Sequence, residues 1–203
     1  MLNRFARALF TRLLTPIARL LLRAGVSPDA VTLVGTLGVS VGALAFYPRG
    51  EFFVGTLVIT AFVFSDLVDG TMARLSGRSS PWGAFLDSTL DRIGDAAVFG
   101  SLVLWFAGNG DEPVLAAVAL YCLAAGSVVP YAKARAESLG MRADVGIAER
   151  ADRLVLILLT TGLAGLDVPY VQEAALWLLA VGSTVTVVQR MLVVRRQAAT
   201  RPA

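Results

Sequence analysis

Two stretches decide the fold: FFVGTLVITAFVFSDLVDG, residues 52–70, and GAFLDSTLDRIGDAAVFGSLVLWF, residues 83–106. Each is apolar over most of the roughly 20 residues that a membrane-spanning helix needs, and each carries aspartates in or against the apolar run. A charge at such a position costs roughly 2.5–3.5 kcal/mol on insertion, so Asp66, Asp69, Asp87 and Asp91 together cost on the order of 10 kcal/mol before compensation. A cost of that size implies a partner, and the reading of the chain turns on what the partner is.

Working outward, four further apolar stretches lie at Pro28–Tyr47, Val114–Tyr131, Leu154–Leu166 and Val171–Val194. The pattern predicts an all-α integral membrane protein with six transmembrane helices, the fifth being the shortest. Composition agrees: of 203 residues 56% are hydrophobic and only 16% charged, against about 25% charged in soluble domains, and the mean hydropathy is +0.70. Eighteen Lys and Arg against 15 Asp and Glu give a net charge of +3, too thin on so apolar a chain to point to nucleic acid. The absence of His removes imidazole as a base and as a metal ligand. A single cysteine, Cys122 in an apolar run, offers neither a disulfide framework nor a thiolate cluster.

Arg and Lys are concentrated before the first span, between the second and third, between the fourth and fifth, and at the end of the sixth, whereas the other connections hold only Arg49. The positive-inside rule therefore puts both termini, and the aspartate cluster, on the cytoplasmic side of the cell membrane. Residues 1–24 read as an interfacial amphipathic helix, because Leu9, Phe10, Leu13, Leu14, Ile17, Leu20 and Leu21 recur at helical spacing between flanking arginines. A helix that packs back onto the protein is the alternative. Residues 25–203 then form the transmembrane catalytic domain.

On a helix, Asp66, Asp69, Gly70, Ala73 and Arg74 fall within about 140° of one another and share a face. Gly83, Asp87 and Asp91, at i, i+4 and i+8, form a matching stripe above a glycine that leaves the approach open. Two pairs of carboxylates brought together repel or protonate unless cations lie between them. Two divalent cations balance four carboxylates, and all-oxygen ligation favours Mg²⁺, with Mn²⁺ as its nearest relative. Asp95, one turn deeper and three residues after Arg92, reads as an inner carboxylate or a helix-local ion pair. An ion-pair network or a cation-transport path is the competing reading, but a path spreads polar groups through the bilayer, whereas these cluster at one end of two spans.

The full pattern is Asp66-x-x-Asp69-Gly70-x-x-Ala73-Arg74, eight residues, then Gly83-x-x-x-Asp87-x-x-x-Asp91. It resembles the signature of the CDP-alcohol phosphatidyltransferases at every fixed position. Ser27–Thr32, the Asp87–Arg92 stretch, and Lys133–Glu137 with Glu149–Arg153 are similar to the bacterial branch of that family that uses inositol phosphate as acceptor. Ser88 and Arg92 depart from the glycerol-phosphate branch, which has Pro and Lys there.

The resemblance implies that Asp66, Asp69 and Asp87 hold one metal ion, that Asp66, Asp87 and Asp91 hold the second, and that Asp91 is also the catalytic base. It implies contacts from Asp29, Thr32, Gly70, Ala73, Arg74 and Ser80 to CDP-diacylglycerol, although Ser27-Pro28-Asp29 also reads as a helix cap. Lys133, Arg135, Arg153 and Arg195 are candidates for the phosphate of inositol 1-phosphate; the positive-inside rule alone also accounts for charges at these sites. The family further implies a homodimer embedded among membrane lipids. Glycerol 3-phosphate as acceptor is the nearest alternative, and a divalent-cation transporter is the alternative of another class.

Overall fold

The computed structural model describes residues 14–77 and 80–200, without the side chain of Asp66. Among the described residues every regular element is helical: α1 (14–23), α2 (Pro28–Phe46), a 3-10 turn at Tyr47–Arg49, α3 (Phe52–Val63), α4 (Ser65–Ser76), α5 (Pro81–Ala107), α6 (Pro113–Ser138), α7 (Arg150–Ala164) and α8 (Val171–Ala199). Four segments are long and apolar enough to cross a membrane: Pro28–Arg49, Phe52–Ser76, Pro113–Ser138 and Val171–Ala199. The sequence count was six. The stretches over α5 and α7 fall short for physical reasons, since α5 carries Asp87, Asp91, Arg92 and Asp95 in its first half and α7 has only 15 residues.

The outer surface is apolar. Along α2, Val34, Leu37, Val41 and Leu44 are exposed while Gly35, Val39 and Gly42 are buried, the distribution expected where hydrocarbon replaces water as solvent. In α1 Ala18 is buried, and Ile17 and Leu20 are exposed beside Arg19 and Arg23. The N-terminal part of the expected amphipathic helix, with Arg4, Arg7 and Arg12, lies outside the described residues.

The chain divides into two compact units, one holding the chain up to Ala45 with Leu57–Val98, the other Phe46–Thr56 with the chain from Phe99 onward. In the first, side chains of α3 fill the notches left by the glycines of α2. A Cβ added to Gly38 would lie 2.2 Å from the Phe62 ring, and one added to Gly42 would lie 3.1 Å from Val58; small residues at such contacts are how helices associate in membranes. The α3–α4 junction is a tightened turn at Phe64, where the Leu67 amide donates to the Phe64 carbonyl and Ser65 Oγ donates to the Phe62 carbonyl at 2.6 Å. Ser65 thus ties the start of α4 to the end of α3, immediately before the first aspartate. In the second unit, α6 and α7 both pack on α8.

Candidate active site

Two polar clusters stand out, each within one unit. In the first, α4 carries Asp66, Asp69, Gly70, Ala73 and Arg74 on one continuous helix, and α5 carries Gly83, Asp87 and Asp91 on another. α2 touches both. Thr32 Oγ1 donates to Asp69 Oδ2 at 2.6 Å, and the Cβ position of Gly83 lies 3.8 Å from Asp29 Oδ1 and 3.5 Å from Ser80 Oγ. Thus Asp29, Ser80 and Gly83 come together, while Thr32 reaches an aspartate.

Asp69 is 7% exposed, and a carboxylate buried to that degree needs a donor, which Thr32 supplies. Asp87 is exposed, and Asp91 is 18% exposed with Arg92 Nη2 3.6 Å from its Oδ2. Arg74 is exposed and anchored, its Nη2 donating to Thr71 Oγ1 at 3.1 Å. A Cβ added to Gly70 would meet nothing within 4 Å, so the face of α4 between Asp69 and Ala73 opens onto free space. Asp95 is buried; the ion pair of Arg92 described here is to Asp91. The cap of α2 is Ser27, whose Oγ accepts from the Ala30 amide at 3.2 Å, which leaves Asp29 turned toward Gly83. Ser80 caps α5 in the same way, accepting from the Gly83 amide at 3.0 Å, ahead of Pro81.

The second cluster lines a pocket of about 260 Å³ in the second unit, where Lys133 and Glu137 of α6 face Glu149, Arg150 and Arg153 at the start of α7 and Arg190 of α8. Arg153 is 1% exposed and Arg190 3%. Arg190 is fixed by the Val145 and Val129 carbonyls, with Glu149 Oε1 3.7 Å from its Nη2. Arg153 lies flat against α6, where a Cβ on Gly126 would come within 3.2 Å of its Nε and Nη2. One turn further along, Pro130 interrupts the α6 ladder, removing the amide that would otherwise bond the Gly126 carbonyl. Lys133 Nζ pairs with Asp144 Oδ1 at 2.6 Å, and this hydrogen bond, with the lysine's charge, holds the exposed Asp144 carboxyl below the usual carboxylate range.

Of the four basic residues expected from sequence, Lys133 and Arg153 line this pocket. Arg135 is exposed, with its Nη1 on Ser138 Oγ at 3.3 Å, and Arg195 is exposed on α8; neither lines it. Arg190 was not singled out as a site residue. Its signal was available, since it is a charge inside the apolar run Val171–Val194. A larger apolar hollow between α6 and α8, lined by Val114, Val118, Trp177 and Val181, offers no charge to a phosphate.

A fold of apolar helices with paired carboxylates on α4 and α5 is that of a membrane-embedded enzyme class, and the chain belongs to the CDP-alcohol phosphatidyltransferase family, whose model matches residues 25–189. It is 62% identical over 206 aligned residues to the phosphatidylinositol phosphate synthase of Streptomyces avermitilis, covering 98% of this chain and 84% of the relative. To the phosphatidylinositol phosphate synthase of Mycolicibacterium smegmatis it is 45% identical, over 93% of this chain and 86% of the relative. The crystal structure of Mycobacterium tuberculosis phosphatidylinositol phosphate synthase with CDP-DAG bound matches with a TM-score of 0.88 at 43% identity, covering 95% of this chain and 99% of that one. A structure of the same enzyme in complex with manganese and citrate matches at 0.88 and 42% identity, over 94% and 93%.

The first cluster suits a divalent cation by its donor chemistry. Asp69, Asp87 and Asp91 are hard oxygen donors, Asp69 is already oriented by Thr32, and the space before Gly70 is open. Among the described residues no three acidic or cysteine side chains converge on one point; the side chain of Asp66 lies outside that set.

Proposed function

We propose that the chain transfers the phosphatidyl group of CDP-diacylglycerol to a hydroxyl of inositol 1-phosphate, giving phosphatidylinositol phosphate and CMP. The observation that carries this reading is the cationic pocket of Lys133, Arg150, Arg153 and Arg190, in a chain 62% identical to a phosphatidylinositol phosphate synthase. Buried guanidinium groups suit a phosphate monoester; serine or free inositol would give them less to do.

Asp66, Asp69, Asp87 and Asp91 hold two divalent cations, Mg²⁺ by preference. When bound, these ions supply neutralisation of the pyrophosphate and of the departing phosphate. The hydroxyl oxygen of the acceptor forms a bond to the β-phosphorus, the bond from that phosphorus to the CMP oxygen breaks, and the hydroxyl proton passes to Asp91. Asp29, Thr32, Gly70, Ala73, Arg74 and Ser80 receive the cytidine diphosphate. The open face at Gly70 supports this assignment, as does the meeting of Asp29 and Ser80, both able to hydrogen-bond a nucleotide, beside the uncrowded Gly83. Thr32 also serves the metal site, through its hydrogen bond to Asp69.

Residues 1–24 lie in the interface and 25–203 form a six-span domain, with α5 and α7 as the two additional spans, both termini cytoplasmic, and the protein a homodimer. Acyl chains then stay in the bilayer while nucleotide and acceptor arrive from water. The test is CMP release by the purified chain from CDP-diacylglycerol with inositol 1-phosphate, glycerol 3-phosphate, serine or inositol, each with Mg²⁺. Release with inositol 1-phosphate alone is expected. Equal or faster release with glycerol 3-phosphate overturns the acceptor assignment.

A further inference from the structure

Between α6 and α7 the chain runs as a strap, residues 139–149, along one face of α8. Gln197 holds Arg142 twice, its Nε2 donating to the Arg142 carbonyl at 2.6 Å and its Oε1 accepting from the Arg142 amide at 2.9 Å. Arg190 Nε donates to the Val145 carbonyl at 2.9 Å. Thr186 Oγ1 accepts from the amides of Ile147 at 3.1 Å and Ala148 at 3.2 Å, and donates to the Gly182 carbonyl of its own helix at 2.8 Å. Residues 186, 190 and 197 recur at four and seven, so a single stripe of α8 reads the backbone of the strap. Gly146 completes the fit. Its φ is +143°, and a Cβ there would lie 2.4 Å from Thr186 Cγ2, so the threonine methyl fills the space that a glycine leaves.

The strap ends at Glu149, the cap of α7, and the first turn of α7 carries Arg150 and Arg153. Thr186 is fully buried and does not line the pocket. Its hydroxyl nevertheless holds the two amides immediately before Glu149. A helix whose register shifts by one residue turns each side chain by about 100°, so the backbone that enters α7, whose Ala148 carbonyl also accepts from Arg153 Nη1 at 3.5 Å, decides where Arg150 and Arg153 stand. We infer that Thr186 is a positioning residue for the phosphorylated acceptor: by fixing the Ile147 and Ala148 amides it sets the start of α7 and, through it, the cations of the pocket. The inference rests on the acceptor-pocket reading above.

The experiment is steady-state kinetics on Thr186→Val, Thr186→Ser and Arg153→Gln, varying inositol 1-phosphate and CDP-diacylglycerol in turn. Valine keeps the shape and removes the hydroxyl. A rise of about five- to tenfold in KM for inositol 1-phosphate is expected for Thr186→Val, an effect the size of one neutral hydrogen bond, since the bonds lost act on the pocket only through the strap. Its KM for CDP-diacylglycerol and its kcat should stay within about twofold, and Thr186→Ser should return the acceptor KM to that of the parent. A merely structural threonine would lower the amount of active enzyme and leave KM alone. The inference is overturned if Arg153→Gln raises the acceptor KM and Thr186→Val does not, if Thr186→Val moves both KM values together, or if serine fails to restore. If Arg153→Gln itself leaves the acceptor KM unchanged, the pocket reading fails, and the role given to Thr186 falls with it.

Discussion

The aspartate face of α4 and α5 and the cationic pocket of α6, α7 and α8 solve opposite problems. The aspartates sit within 26 consecutive residues, Asp66 to Asp91, on two successive helices. Asp87 is exposed and Asp91 only partly covered. The cations come from residues 133, 150, 153 and 190, and Arg153 and Arg190 are almost wholly buried. A site whose ligands face an ion can leave them half open, because the ion itself provides the counter-charge. On the proposed reading, guanidinium groups that wait for a soluble acceptor must be held by the protein in the meantime, and carbonyl oxygens and Glu149 do that for Arg190. Compactness in sequence thus goes with dependence on an external ion, and dispersal in sequence with dependence on packing.

The largest effect should come from the ion-dependent region. Asp87→Asn, on the reading that Asp87 serves both ions, is expected to abolish CMP release at any Mg²⁺ concentration; residual turnover above about one hundredth of the parent rate would break the comparison. Next, Arg153→Gln should raise KM for inositol 1-phosphate by roughly ten- to hundredfold, the value of a charge-assisted hydrogen bond, and leave KM for CDP-diacylglycerol unchanged. An effect on both constants would mean that the two regions do not divide the substrates between them.

Thr32→Val tests whether the aspartate region also needs internal support. Loss of the bond to Asp69 is expected to raise the Mg²⁺ concentration for half-maximal activity by about tenfold, as removal of a partner behind a metal ligand does, and Thr32→Ser should restore it. The smallest effect belongs to Asp144→Asn. The Lys133–Asp144 pair is solvent-exposed, and exposed pairs contribute little. Because Asp144 is held below its usual range in the folded chain, whatever the pair contributes is present above the ordinary carboxylate range and is lost as pH falls through the lowered value. The variant should match the parent in thermal unfolding only well below the ordinary carboxylate range, at about pH 2, and differ by at most about 2 °C at about pH 7.

Sequence reasoning read these two regions unequally, for the reason that separates them. Asp66, Asp69, Asp87 and Asp91 could be placed on two helix faces because a helix converts spacing into direction, and α4 and α5 do carry them as continuous helices. The meeting of Asp29 with Gly83 across helices had no counterpart in spacing; the family resemblance implied only that Asp29 contacts the nucleotide. In the pocket, Arg153 and Lys133 were distinguished from Arg135 and Arg195 by nothing local. All four are cations at helix ends, and only the packing of α6 and α7 on α8 separates those that line the pocket from those that do not. Arg190 was legible in principle, by the same rule that singled out the aspartates. The membrane-spanning segments were legible where apolarity was continuous; over α5 the charges that define the site also erode the hydropathy that would mark a span.

Gly126 and Pro130 make α6 more than a wall of the pocket. With the guanidinium of Arg153 only 3.2 Å from where a side chain at position 126 would begin, the placement of that charge is set by volume as well as by electrostatics. One methyl group at Gly126 would press the guanidinium away by a few tenths of an ångström without altering the electric field of the pocket. On the proposed reading, size at a residue with no polar side chain therefore offers a dial for acceptor affinity, turned by sterics alone.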